Sequence, residues 1–179
     1  PMVDPTKSPY SQLPHIGAEQ IEKVTGNIRS YRSATDDAVT SNKFLFDDSY
    51  LLYTKIRPYL RKVALPDFRG LCSADIYPVR AKEDITTKEF LWAVLRSSSF
   101  VLYTESLPSR ANIPKINREE LGRYPLMLPP LNLQVEFSSR STQIEAVRRR
   151  MTNALSLCDT QIEALSQQVF QHGNSAHGI

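Results

Sequence analysis

Two separated stretches of this chain concentrate side chains suited to a polyanion. In the first, Lys55, Arg57, Arg61, Lys62 and Arg69 interleave with Tyr53, Tyr59 and Phe68, and Asp67 is the single acid among them. In the second, a loop over residues 106–117, Arg110, Asn112, Lys115 and Asn117 stand without any acid. Lysine and arginine neutralise phosphate oxygens, arginine and asparagine can bond guanine and adenine edges through two atoms at once, and tyrosine can stack or pack against sugar. That chemistry is contact with duplex DNA, with Lys55, Arg57, Arg61 and Lys62 on phosphate and Arg110, Asn112, Lys115 and Asn117 helping to read bases. A solvated basic face is the plainer reading of either stretch, and a net charge of +3 over 179 residues does not by itself mark a nucleic-acid binder.

The residue sets that catalysis needs are missing. The three histidines are His15, His172 and His177, too scattered for paired ligands or a histidine-based triad. No Gly-Lys-Ser/Thr phosphate loop occurs, and the six glycines are dispersed. Asp47, Asp48 and Asp75 could contribute to a metal-dependent nuclease, but Asp47-Asp48-Ser49 has the composition of a turn. No catalytic residue, metal or cofactor is therefore expected in this chain. Cys72 and Cys158 lie far apart and suggest neither a disulfide framework nor a metal site, so the expected setting is reducing and cytoplasmic. No apolar run approaches the length of a membrane span, and no signal peptide opens the chain.

The elements that must position these groups fall into two parts. Composition, 41% hydrophobic and 23% charged, suits one globular domain plus an appended element. The appended element is a helix. Phe137, Ile144, Met151, Cys158 and Leu165 form an apolar column at every seventh residue, flanked by Val147 and Ala154 and then by Leu155, Ile162 and Val169. No Pro or Gly interrupts the span from Pro130 to Gly173. A helix of about forty residues is about 60 Å long. Its heptad columns need a partner helix, either from a second copy or from a different protein. Its charges balance, with Arg140, Arg148, Arg149 and Arg150 against Glu136, Glu145, Asp159 and Glu163, so the globular part carries the whole basic excess.

Within that globular part the opening residues read as a lead-in broken by Pro5, Pro9 and Pro14 and stay outside the fold argument. A short strand or helical turn is expected between His15 and Ile28, ending at Gly26-Asn27, and residues 29–42 read as a surface loop. Strands are expected in residues 44–46, 50–56, 62–65 and 70–79, forming a small, strongly bent sheet. Thr86 with Glu89 has capping-box spacing for a helix whose buried face would be Phe90, Leu91, Val94 and Leu95, with Trp92 off it. Residues 100–104 could be strand or helix. Asn117 with Glu120 repeats the capping-box spacing, residues 124–128 read as a last extended piece, and Asn132 as cap with Glu136 in the first turn would open the long helix.

The order of these segments carries a family resemblance. Leu51-Leu52-Tyr53-Thr54-Lys55-Ile56-Arg57-Pro58 is followed by Lys62-Val63 and, at a familiar distance, by the stretch from Cys72 to Val79. Then come Asn112-Ile113-Pro114-Lys115-Ile116-Asn117 with Leu121, and Leu128-Pro129-Pro130-Leu131-Asn132-Leu133-Gln134 at the start of the long helix. This succession resembles the specificity subunit of prokaryotic type I DNA restriction-modification systems. The resemblance implies an α+β target-recognition domain, here residues 1–130, a conserved coiled-coil spacer helix, here residues 131–171, and a disordered tail over 172–179. It also implies a non-catalytic subunit that reads half of a split DNA site and docks methyltransferase subunits, which bind S-adenosylmethionine, and an endonuclease subunit. Full-length members carry two such domains and two such helices, whereas this chain has one of each. Its seam residues, Phe137, Ile144, Val147, Met151, Ala154, Leu155, Cys158, Ile162 and Leu165, are then expected to pair with a second copy or with the other half of a longer subunit. A coiled-coil interaction adaptor, or less readily a nuclease, remains as an alternative.

Overall fold

Short runs of branched and aromatic residues punctuated by Asp, Ser, Pro and Gly can form only short strands, and the strands are short. The computed structural model describes residues 1–108 and 112–175. Arg110 and His177 lie outside the described residues, as do the side chains of Arg149, Val169 and His172. The strands are β1 (Met2–Val3), β2 (Pro14–Ile16), β3 (Arg32–Ser33), β4 (Lys43–Phe46), β5 (Tyr50–Thr54), β6 (Val63–Ala64), β7 (Gly70–Cys72) and β8 (Ile76–Arg80). The helices are α1 (Lys88–Leu95), α2 (Ser98–Ser106), α3 (Arg118–Gly122) and α4 (Leu131–Ser175). The class is α+β, as expected.

The expected bent sheet resolves into two. One has five strands in the order β1-β4-β7-β2-β3, antiparallel except for the β2–β7 pair, and the other has three antiparallel strands in the order β6-β5-β8. The bends fall where Asp and Ser can satisfy a turned backbone. Between β4 and β5 the Asp47 carboxylate accepts bonds from the Ser49 hydroxyl and amide, which hold it below the usual carboxylate range. Residues 73–75 make the corresponding passage from β7 to β8. Residues set aside as a lead-in take part, since β1 pairs Met2 with Phe44. In the expected surface loop, β3 pairs with β2 and Ala34 is buried.

β5 is buried on both faces, which is why it reads as a continuous apolar run rather than an alternation. Leu52 joins a core with Ile16, Ile21, Phe46, Cys72 and Ile76, while Leu51 and Tyr53 join a second core with Val63, Trp92, Leu95, Phe100 and Ile116. Trp92 is thus a core residue of α1, contrary to the helical-face expectation, and its Nε1 donates to the Val63 carbonyl at 2.8 Å. The face of so short a helix is set by what packs on it, here β6, rather than by periodicity alone.

Capping also differs in one place. The cap of α1 is Thr87, whose side chain accepts from the Phe90 amide, because the Thr86 hydroxyl donates instead to Gln134 Oε1 at 2.8 Å. α2 settles the undecided segment as helix, started by the Ser97 side chain accepting from the Phe100 amide. α3 has the expected capping box, with Asn117 Oδ1 accepting from Glu120 N and Glu120 Oε2 accepting from Asn117 N, both at 2.9 Å. Residues 124–128 have no ladder partner. α4 begins at Leu131, so Asn132 is inside the helix rather than its cap. Glu136 is past the first turn and pairs with Arg140. The helix runs beyond the expected end at 171.

The chain divides into two compact units, Pro1–Val135 and a second that begins at Glu136. The first turn of α4 therefore belongs to the domain.

Candidate nucleic-acid interface

The two basic stretches meet because their main chains pair. Beyond β5, Lys55 N donates to the Asp75 carbonyl at 2.9 Å, Lys55 O accepts from Ile116 N at 3.0 Å, and Arg57 N donates to the Pro114 carbonyl at 2.7 Å. Ile56 and Lys115 form an isolated antiparallel bridge. Residues 55–57 and 114–116 are thereby held side by side, although some sixty residues of chain separate them.

After this pairing, the backbone takes an unusual path. Arg57, with φ 49°, and Arg61, with φ 52°, both adopt the left-handed region on either side of a 3-10 turn over Pro58–Leu60. Such conformations cost a non-glycine residue on the order of 1 kcal/mol or more and persist only where surrounding contacts impose them. Here Pro58 is buried, Leu60 N bonds to the Arg57 carbonyl, Arg61 N bonds to the Pro58 carbonyl, and Leu60 O accepts from Val24 N. Tyr59, at the tip, remains 48% exposed.

A cleft of about 470 Å³ lies beside the paired segments, between them and the end of α2, with Lys55, Tyr59, Tyr77, Lys115 and Asn117 in its lining together with the acids Glu105 and Glu120. Lys55 Nζ lies 3.7 Å from Asp75 Oδ1 and 5.5 Å from the Tyr77 ring centroid. The Arg118 guanidinium lies 5.6 Å from the same ring and 5.7 Å from that of Phe44. Burial raises the pKa of the Tyr77 hydroxyl, with Arg118 opposing the shift, so Tyr77 is a neutral phenol at physiological pH. Arg57, Asn112, Lys115 and Arg118 are exposed. Exposed cations around an aromatic floor can attract phosphate and present donors to base edges.

The expected site residues do not all converge. Lys55, Arg57, Lys115 and Asn117 gather at the paired segments, and Asn112 is exposed in the same loop. Arg61 and Lys62 turn elsewhere. Arg61 Nη2 donates to Ser98 Oγ at 3.1 Å, and Lys62 Nζ donates to the Ala18 carbonyl at 2.7 Å, with its pKa lowered by burial. Asn117 reaches the cleft, but its side-chain oxygen is occupied in capping α3. Neither Tyr77 nor Arg118, which follows the second basic loop directly, was among the residues expected at the site. Alternation along β8 hints at Tyr77, but only the β5–β8 register, which sets Tyr53 opposite Tyr77, places it.

Two of the three carboxylates considered for a metal are otherwise engaged, Asp47 in its turn and Asp75 beside Lys55. Among the described residues no group of three or more His, Cys, Asp or Glu side chains could hold a metal ion. Among them, too, no helix is long and apolar enough to cross a membrane.

The second unit presents a different surface. Ile144, Val147, Met151, Leu155, Ile162 and Leu165 are all more than half exposed, Phe137 is 42% exposed, and Ala154 and Cys158 are exposed as well. Its ion pairs, Glu136 with Arg140 and Glu145 with Arg148, join neighbours on the helix surface.

Comparison with known proteins places this arrangement. A family model described as the type I restriction modification DNA specificity domain matches residues 8–155. The type I restriction enzyme EcoDI specificity subunit of Escherichia coli is 33% identical over 171 residues, covering 92% of this chain and 38% of that protein. Two solved chains share the fold, each with a TM-score of 0.69. One, from a study of complex assembly and conformational transition of the type I R-M system, is 23% identical over 87% of this chain and 40% of its own. The other, the HsdS subunit from Thermoanaerobacter tengcongensis, is 22% identical over 83% of this chain and 40% of its own. The chain thus spans about two fifths of the length of the relatives it matches.

Proposed function

This chain belongs to the type I restriction-modification DNA specificity family, and on that premise we propose that it reads one half of a bipartite duplex site. Through α4 it directs a separate adenine methyltransferase subunit and an endonuclease subunit to that site. The observation that carries the reading is the pairing of residues 55–57 with residues 114–116, which brings Lys55 and Lys115 to one cleft with Tyr77, with Arg118 over the same ring and Arg57 exposed on the paired segment. Arg57, Lys115 and Arg118 hold phosphate, with Lys55 beside them, and Asn112 reaches base edges. Arg61, Lys62 and Asn117 support the loops that carry these groups, through their bonds to Ser98, Ala18 and Glu120. The chain supplies no catalytic residue. S-adenosylmethionine and the transfer chemistry belong to the methyltransferase subunit.

The exposed apolar columns of α4 take a second helix, from another copy of the chain or from the remainder of a longer subunit. Two identical copies would make the bipartite site palindromic.

Duplex binding by the intact protein, measured against salt for the wild type and for Arg57→Ala and Lys115→Ala, tests the reading. Wild-type affinity is expected to fall steeply with salt. Each variant is expected to bind more weakly whatever the sequence and to lower the log–log slope by about one. Unchanged affinity and slope in both variants would overturn the site. A wild type without salt-sensitive affinity for duplex DNA would instead favour an interaction adaptor built on α4.

A further inference from the structure

Among the described side chains of α4, the most completely bonded polar one is also the most buried. Gln134 is 0% exposed, although it stands among exposed Leu131, Leu133 and Val135. Its Oε1 accepts from the Thr86 hydroxyl at 2.8 Å and from Thr87 N at 3.2 Å. Its Nε2 donates to the Ile85 carbonyl at 3.1 Å and to the Pro129 carbonyl at 2.8 Å. Both lone pairs and both N–H bonds of the carboxamide therefore have partners, the full capacity of the group.

The partners are specific as well as numerous. Ile85, Thr86 and Thr87 are consecutive residues that offer, in turn, a carbonyl, a hydroxyl and an amide at the entrance to α1. Thr87 also caps α1, so one carboxamide is bonded to the residue that starts the other helix. The Pro129 carbonyl belongs to the diproline that ends the preceding coil, and the Pro130 carbonyl accepts the Gln134 amide at 3.2 Å. No other side chain of similar size serves all four groups. A glutamate has no N–H to give the two carbonyls, and leucine or methionine leaves all four groups without this partner.

We infer that Gln134 is a positioning residue for DNA recognition. Its carboxamide fixes the turn at which α4 originates in the domain, and through that turn it sets the spacer length accepted between the two halves of the bipartite site. The inference rests on the proposed reading of a bipartite site and adds the residue responsible for the constancy of its spacing. A loosened origin would leave the base-reading loops as they are and relax only the separation at which two half-sites can be engaged together.

The test is methylation by the intact protein expressed with its own adenine methyltransferase subunit in a methylation-free host, followed by sequencing of the modified adenines. The wild type is expected to show a bipartite motif with one spacer length. Gln134→Met, which keeps the size of the side chain and loses its bonds, is expected to methylate the same half-site sequences. The share of sites with a spacer one base pair longer or shorter should rise by roughly tenfold, equivalent to about 1.4 kcal/mol of lost discrimination. Thr86→Val, which removes one of the four bonds, should shift the distribution in the same sense by less. It serves as the deciding variant if Gln134→Met does not fold.

A purely structural role predicts a different outcome: a lower melting temperature and less methylation, with the single spacer retained. That result in a folded variant would overturn the inference and leave DNA reading standing. A wild type whose omission does not change the methylation pattern would overturn both.

Discussion

The two units treat apolar side chains in opposite ways. In the first, Leu51, Leu52, Val63, Leu71 and Ile76 are wholly buried, and even the polar Gln134 is enclosed because each of its atoms finds a partner. In the second, Met151 is 63% exposed and stands in a column of residues equally apolar and equally exposed. Hydropathy does not separate the two sets. The lesson is that periodicity tells which residues share a face, whereas burial depends on whether another element is available to cover that face. The first unit holds its own cover, and the second presents an exposed apolar column at heptad spacing, the face that the proposed partner helix would cover.

The largest expected effect comes from breaking the second unit at its centre. Met151→Asp sets a carboxylate in the apolar column, where enclosure by a partner helix costs more than about 3 kcal/mol. Self-association, or docking of the methyltransferase subunit, should be lost while thermal unfolding of the first unit is unchanged. The two cysteines report on this independently. Cys72 is buried, and burial pushes its thiol up to about 12, so it should resist alkylation throughout, whereas Cys158, exposed in the single chain, should react wherever no partner helix covers it. A partner helix should protect Cys158 in the wild type and not in Met151→Asp. A wild-type mass and an unchanged alkylation pattern in the variant would contradict the contrast between the units.

A smaller effect is expected where the first unit supports its own surface. Asn117→Ala removes the cap of α3 and should cost about 1 kcal/mol in chemical denaturation. Because Arg118 begins that helix, the variant should also weaken duplex binding, whereas a truncated side chain on the α4 surface, such as Gln143→Ala, should change neither.

The smallest expected effect concerns acid. The Thr25 hydroxyl and Arg29 hold the Glu22 carboxyl below its ordinary value. A lowered folded pKa stabilises the protein above the unfolded value and loses that contribution as pH falls through the folded one. The stability difference between wild type and Glu22→Gln should therefore be full at neutral pH and be lost in acid, as pH falls from the unfolded value of about 4.3 through the lower folded one. The corresponding change at Glu136, in an exposed ion pair on α4, should cost little stability at neutral pH. Urea titrations at neutral and acid pH measure both.

Much of this was legible in the chain. The heptad column from Phe137 to Leu165 announced α4, and the Asn117 and Glu120 spacing announced α3 together with its reciprocal bonds. Both are local signals, resting on residues three, four or seven apart. Where a local signal met a long-range competitor, it failed. Thr86 had the spacing of a cap and gave its hydroxyl to Gln134, and Trp92 lay off the expected helical face and was drawn into the core by the Val63 carbonyl. Among the basic residues, Lys62 likewise has a long-range partner within the fold, the Ala18 carbonyl, which no spacing along the chain foretells.

By itself, then, the sequence determined the α+β class, the long helix with its apolar seam, the two basic stretches and the family to which their order belongs. These depend on residue type and on spacings along one chain, and the physics that reads them is local. Only the tertiary structure decided that one bent sheet would be two, that residues 55–57 would pair with 114–116 and set Lys55 and Lys115 in one cleft, and that Gln134 would be the buried residue at the start of α4. Those outcomes require backbone groups and side chains far apart in the chain to satisfy one another. No periodicity encodes which donor will meet which acceptor across such distances.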